Sequence, residues 1–497
     1  MAGNALHSIA SLGLEATVRD NNPWWGGERI HELPPMRRWA FAPILANLKG
    51  GLTKATVLTG PRQVGKTTLL NQLITALLDE GVAPQRIFRL QFDELPELRK
   101  LREPILELAR WFSEHVLGAT FNRAAQEGRQ AFVFLDEVQN LASWAPQLKH
   151  LVDLNPVRVM VTGSSALRIE AGRDSLAGRI TTIEMGPLLL REVAEMRGFG
   201  RIEPTMPPNG LADLKKKEFW RALRDHGARN GAARRRAFEA FSERGAYPVA
   251  HAHPGEPWEK VADHLNETVV RRALQHDLRL GVKGVRRAPE LLAEVFRLAC
   301  RYAGQSPRQA LYLAELRHAL HANLGWQRVL AYLRFLDNSL LVRLIEPLEL
   351  RLKRRRGAAK LCLCDHALRE AWLQEKVPLA PAALLELPHL ADLAGHLAES
   401  ATGYFLRSIP NLGVAHFPER AAEPEVDYVL TVGEQRIPVE VKYRRRIDFE
   451  DTLGVRAFIE KSHYHAPFGV LVTLADESAT DDPRLVSLPL STLLLMR

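Results

Sequence analysis

Between residues 51 and 190 short apolar runs alternate with stretches of helical periodicity. Ala55-Thr56-Val57-Leu58 is a strand-like run that ends at Thr59-Gly60. Leu69, Leu70, Leu73, Ile74, Leu77 and Leu78 then recur at helical spacing, and Gly81 supplies a stop. Ile87 to Phe92, Ala131 to Leu135, Val157 to Val161 and Ile180 to Ile183 are further strand-like runs, and residues 104–127 predict one long helix. Such alternation predicts a parallel sheet covered by helices on both faces.

The pattern changes on either side. Residues 1–50 form an N-terminal arm, in which Asn22-Pro23-Trp24-Trp25 is an apolar anchor. Residues 191–257 are a basic helical linker, irregular in pattern, with Lys215-Lys216-Lys217 and Arg234-Arg235-Arg236. Such runs are either a solvated face or a contact for nucleic acid. In residues 258–376 helices are expected at 258–280, 289–303, 311–321 and 325–338. Two short strands follow, Leu340 to Ile345 and Lys360 to Cys364, around Arg351-Leu352-Lys353-Arg354-Arg355-Arg356-Gly357. Three helices and a basic-tipped hairpin resemble a winged helix, whose third helix enters a DNA groove while the tip touches phosphates. The same module also serves protein contacts. After a proline-marked linker, residues 390–497 predict a helix near 391–407, a hairpin at 425–443, a helix near 449–463 and a strand from Gly469 to Thr473.

With 497 residues, the chain has room for about three domains. Its composition, 46% hydrophobic and 25% charged, is that of a globular protein able to bury its own cores. The N-terminus lacks the pattern of a secretory signal, no run is apolar enough to span a membrane, and only three cysteines occur. These features predict a cytoplasmic protein with reduced thiols and no membrane partner. A net charge of +9 permits a nucleic-acid partner, DNA before RNA.

Gly60-Pro61-Arg62-Gln63-Val64-Gly65-Lys66-Thr67, followed by Thr68, fits G-x-x-x-x-G-K-[ST]. Polyphosphate requires backbone N–H groups turned inward, and glycines let the loop close around it at the positive end of a helix. Lys66 is placed to reach the β- and γ-phosphates of ATP and Thr67 to coordinate Mg²⁺. Phe132-Val133-Phe134-Leu135 carries Asp136 to the sheet edge, where it can hold the Mg²⁺ shell, and Glu137 is suited to polarise the attacking water.

A second constellation lies on the hairpin. A Gly433-Glu434 turn pairs Val426 with Val441, Tyr428 with Val439 and Leu430 with Ile437, so one face is apolar. The same register sets Asp427 opposite Glu440, with Lys442 two residues on. Two carboxylates and a lysine on one face suit Mg²⁺ and phosphodiester chemistry, and they also suit an ordinary solvated salt bridge.

Leu58 to Leu70, Asp136-Glu137 and Thr162-Gly163-Ser164-Ser165, together with Ser175-Leu176-Ala177-Gly178-Arg179 and Gly186-Pro187-Leu188, resemble a prokaryotic AAA-type ATPase family. That family joins the ATPase to a winged helix and a C-terminal domain of restriction-endonuclease-like fold. The resemblance implies an α/β multidomain protein: ATPase at 51–190, winged-helix region at 258–376 and endonuclease-like α/β domain at 390–497. It also implies a polar sensor at Ser164 or Ser165. Arg179, with Arg173 as competitor, takes the role of an arginine finger, in cis or from a neighbouring copy in a homo-oligomer. Asp427 and Glu440-x-Lys442 are similar to the PD-(D/E)xK nuclease signature, and Glu399 matches its additional acidic metal ligand. The resemblance therefore implies an ATPase acting on nucleic acid as an ATP-regulated, Mg²⁺-dependent nuclease in defence or genome maintenance, or else a nucleotide-dependent switch for protein partners with a silent nuclease-like domain.

Overall fold

The computed structural model describes residues 13–30, 32–92, 98, 101–141, 143–163, 176–207, 210–274, 288–321, 324–350, 353–354, 357–419, 423–478, 480 and 482–497. The chain divides into two compact units, one built on the chain up to Met185 and the other on most of the chain from Gly186 onward.

The first unit is organised around a five-stranded sheet in the order β2-β3-β4-β1-β5: β1 (Ala55–Thr59), β2 (Ile87–Gln91), β3 (Phe132–Asp136), β4 (Arg158–Gly163) and β5 (Ile180–Glu184). Every pairing is parallel. Strands β1 and β3 are buried along their whole length, as expected where helices cover both faces. Among the described residues the α-helices are α1 (Leu14–Asp20), α2 (Phe41–Gly50), α3 (Lys66–Asp79), α4 (Pro104–His115), α5 (Phe121–Gln126) and α6 (Trp144–Leu154).

The long helix expected over 104–127 is two helices. The break falls at Gly118, whose φ of 69° cannot continue a right-handed helix, and Thr120 caps the second piece by accepting from the Arg123 N–H at 3.3 Å. The N-terminal arm is anchored as its tryptophans predict. Trp24 and Trp25 both donate indole N–H bonds to the Ile87 carbonyl, at 3.1 and 2.9 Å, and Trp25 stacks on Phe88 and Phe112.

The second unit begins with α7 (Leu190–Met196), α8 (Lys217–Arg229), α9 (Gly231–Arg244) and α10 (Pro248–Ala252). The region is helical, as expected. Arg234 is a correction to the basic-run reading: it is 2% exposed, and its guanidinium forks onto the Asp476 carboxylate and the Thr492 hydroxyl. An arginine closed over a partner in this way offers nothing to a nucleic-acid phosphate.

Next come α11 (Trp258–Leu265), α12 (Pro289–Arg301), α13 (Gln309–Leu320) and α14 (Trp326–Asn338), then the antiparallel pair β6 (Val342–Ile345) and β9 (Lys360–Leu363). The short strands β7 (Glu349–Leu350) and β8 (Lys353–Arg354) extend the hairpin; Arg351, Arg355 and Arg356 of the expected basic tip lie outside the described residues. Helix α15 (His366–Leu373) follows, and α16 (Pro381–Glu386) leads to α17 (Ala391–Arg407).

A second five-stranded sheet runs in strict order through β10 (Gly413–Phe417), β11 (Val426–Val432), β12 (Gln435–Lys442), β13 (Gly469–Thr473) and β14 (Leu485–Pro489), with α18 (Leu453–Glu460) between β12 and β13 and α19 (Leu490–Leu493) at the end. It is mixed: β10, β11 and β12 pair antiparallel, and β12, β13 and β14 parallel. The hairpin register is the one the sequence predicts, with Tyr428 facing Val439 and Leu430 facing Ile437. The three cysteines are buried and free. Among the described residues, no helix is long and apolar enough to cross a membrane.

Candidate nucleotide site and a carboxylate–lysine cleft

Parallel strands bring their C-terminal ends to one edge of the sheet, where residues far apart in sequence meet. The loop after β1 turns through positive φ at Gln63 (62°) and Gly65 (91°) before α3 begins at Lys66. This backbone shape forms an anion nest at a helix N-terminus, and Thr68 continues that helix's first turn. Gly60 permits the loop's close approach to the next segment, because a Cβ there would stand 2.1 Å from the Met185 carbonyl oxygen. Arg38, from the arm, donates to the Val64 carbonyl at 2.5 Å, and Gln72 of α3 donates to the Pro34 and Met36 carbonyls at 2.7 and 2.9 Å. The arm therefore braces the loop, a role the arm's sequence did not reveal.

Lys66 is 5% exposed, and its ammonium donates to the Gly60 and Pro61 carbonyls at 3.1 and 2.9 Å. It stands 3.9 Å from the Glu137 carboxylate. Thr67 donates to Asp136 at 3.0 Å. Thr162, at the end of β4, ties the acidic pair together by donating to Asp136 and accepting from the Glu137 backbone N–H at 3.0 Å. Arg89 lies 3.6 Å from Asp136. Burial, with the Glu137 charge beside it, raises the Asp136 carboxyl above its ordinary range against the opposing bond from Thr162. Glu137 has a left-handed backbone, φ 55°, and its carboxylate accepts from the Gln139 side chain.

Thr162 and Arg89 are the residues that motif reading missed. Thr162 lies within the Thr162-Gly163-Ser164-Ser165 segment, but the sensor role had been expected at Ser164, which is outside the described residues together with Ser165 and Arg173. Arg179 is not brought to the loop in cis. Ile180 pairs with Ala55, so Arg179 stands at the opposite end of β1, roughly 15 Å of strand from the phosphate loop. It is held there by an ion pair to Asp153 at 2.6 Å.

The second unit brings Asp427, Glu440, Lys442 and Glu399 into one cleft of ≈460 Å³, lined also by Lys360, His396 and Glu425. Asp427 accepts from the Val441 N–H at 2.9 Å, and its own N–H donates to Glu440 at 3.3 Å. Lys442 pairs with Glu440 at 2.8 Å. Lys360, from β9, was not foreseen. It is 2% exposed and lies 2.6 Å from Asp427, 3.1 Å from Glu399 and 3.6 Å from Glu425. Burial pushes Glu440 up to about 8, with the Asp427 charge adding to it, and raises Glu399 too. Burial also works to raise Asp427, but the Lys360 ammonium overcomes it and holds that carboxyl low.

The two places differ in their fit to Mg²⁺. At the phosphate loop, Thr67 and Asp136 present adjacent hard oxygen donors, which suit Mg²⁺ shared with phosphates. In the cleft the expected ligand set of Glu399, Asp427 and Glu440 is not assembled: Glu399 and Asp427 share the Lys360 ammonium, and Glu440 turns to Lys442. Among the described residues, no group of three or more His, Cys, Asp or Glu side chains could hold a metal ion.

Comparison with known proteins accords with the geometry of the first unit. Residues 52–194 match a family described as an AAA domain. That segment is similar to AAA domains and carries the P-loop sequence and the parallel sheet described above. Uncharacterized proteins of Mycobacterium tuberculosis and Mycobacterium bovis are each 30% identical over 153 residues, 30% of this chain and 29% of the relative. An uncharacterized protein of Methanocaldococcus jannaschii is 30% identical over 164 residues, 32% of each chain. The match thus spans about three tenths of the length of these curated relatives. Among solved structures, a Walker-type ATPase of Pyrococcus abyssi is similar with 17% identity and a TM-score of 0.39, over 69% of this chain and 99% of that one.

Proposed function

We propose that this protein binds ATP with Mg²⁺ at residues 60–68, hydrolyses it, and uses the nucleotide state to switch the binding activity of its second unit. The observation that carries this reading is the convergence of Lys66, Thr67, Asp136, Glu137 and Thr162 at one sheet edge. On ATP binding, Lys66 exchanges its carbonyl acceptors for phosphate oxygens, which neutralises their charge. Thr67 and Asp136 would hold Mg²⁺, which supplies charge neutralisation at the phosphates. Glu137, released from Lys66, accepts the proton of the attacking water. Thr162 holds the Asp136 carboxylate and the backbone of Glu137.

ATP turnover and nucleotide binding by the full chain test this assignment. Lys66→Ala abolishes turnover, and Glu137→Gln retains ATP binding while lowering kcat by about 10²–10⁴-fold. A Glu137→Gln variant that hydrolyses ATP at the wild-type rate removes Glu137 as the base.

A second reading concerns the partner. Three helices followed by a hairpin that carries Lys353 and Arg354 support a winged-helix-like region that contacts nucleic acid, DNA before RNA. The cleft beneath the 425–443 hairpin supports a nuclease-like fold in a binding role, not a cutting one. Single- and double-stranded DNA and RNA, incubated with Mg²⁺ and with or without ATP, remain intact on this reading. Cleavage that is lost in a Glu440→Ala/Lys442→Ala variant makes the protein a nuclease instead.

A further inference from the structure

We propose that Lys360 takes the place of a divalent cation in the carboxylate cleft, so that the site is closed to metal by a cation belonging to the chain itself. The inference rests on the nuclease-like reading of the hairpin for the expectation of a metal, and is independent of the ATPase reading.

A magnesium ion in such a cleft would sit among carboxylate oxygens. The position between Asp427 and Glu399 is taken instead by the Lys360 ammonium, 2.6 and 3.1 Å from their oxygens, with Glu425 at 3.6 Å. An ammonium supplies one positive charge and up to three donated hydrogen bonds, which answers these carboxylates without a metal. The side chain is buried, and a Lys is retained in such a place only when it is paired.

Lys360 is also held there from its backbone outward. Its neighbour Leu361 donates to the Gln305 carbonyl at 2.9 Å and accepts from the Gly304 N–H at 2.7 Å. Leu363 donates to Ser400 of α17 at 2.8 Å. Strand β9 is thereby fixed to the same helix that carries Glu399, which places the root of the Lys360 side chain beside that carboxylate. The remaining carboxylate, Glu440, is answered by Lys442. Two lysines therefore serve the acidic groups that would otherwise recruit metal.

Removing the internal cation should create the metal site. Mn²⁺ uptake by the full chain, without nucleotide, is measured by electron paramagnetic resonance for the wild type, Lys360→Met, Lys360→Met/Asp427→Asn and Asp427→Asn. Methionine keeps the length of the stem while removing the charge. The expected result is the gain of one bound Mn²⁺ in Lys360→Met, lost again in Lys360→Met/Asp427→Asn, with identical uptake by the wild type and Asp427→Asn. Mn²⁺ should also raise the Tm of Lys360→Met and leave the wild-type Tm unmoved by any effect that depends on Asp427. A folded Lys360→Met that takes up no additional Mn²⁺ overturns the proposal. So does wild-type uptake that Asp427→Asn abolishes, and this comparison decides the matter if Lys360→Met does not fold. Loss of ATP turnover in Lys66→Ala bears on the first unit alone, so the two proposals fail separately.

Discussion

Glu440 shows how a single buried carboxylate imposes a pH dependence on the protein. Its ordinary value is 4.5, and burial pushes it up to about 8 in the folded state. Between those values the folded chain keeps a proton that the unfolded chain releases. The stability tied to this group is therefore complete below about 4.5 and is lost as pH rises toward about 8. Urea midpoints of Glu440→Gln should fall less steeply than those of the wild type across that window; parallel curves would contradict the assignment. Residue-scale chemistry was legible in the sequence where it was contiguous. The run from Gly60 to Thr67 announces its ligand because eight neighbouring residues build the nest. Lys360 did not announce itself, because Glu399 and Asp427 lie 39 and 67 residues away and only the fold brings them together. Thr162 escaped for a related reason: its role depends on β4 lying beside β3, which residue order alone does not show.

At the scale of elements, α17 and the strands over it approach closely because Gly403 has no side chain. A Cβ at that position would stand 2.4 Å from the Cys362 Sγ and 2.6 Å from the Tyr428 Oη. Gly403→Ala should destabilise the second unit by about 1–3 kcal/mol through overpacking, and Cys362→Ala should recover part of the loss. Chemical denaturation of the single and double variants measures both effects, and additive losses would rule out direct contact as the cause. Periodicity located most elements of the first unit's sheet because buried parallel strands are continuous apolar runs. It failed over 104–127, where apolar spacing continues past a break that begins at Val116 and includes the left-handed backbone of Gly118. Over 191–257 the helical character was legible, but the many charged positions hid where each helix begins and ends.

At the scale of the molecule, a net charge of +9 gives nucleic-acid binding a definite signature. Affinity that comes from phosphate neutralisation falls steeply between about 50 and 200 mM salt as counterions are released. Titration with a labelled DNA duplex should show that fall; absence of binding even at low salt removes nucleic acid as the partner. The backbone of Glu137 has a consequence on this same scale. A non-glycine residue at φ 55° is strained, and the surrounding structure bears a cost of about 1–3 kcal/mol to hold it there. Glu137→Gly relieves that strain and removes the carboxylate in one step. With Glu137 in the proposed role of base, screening variants of this protein for thermal endurance would favour chains that no longer hydrolyse ATP, because at position 137 endurance and turnover would call for opposite residues.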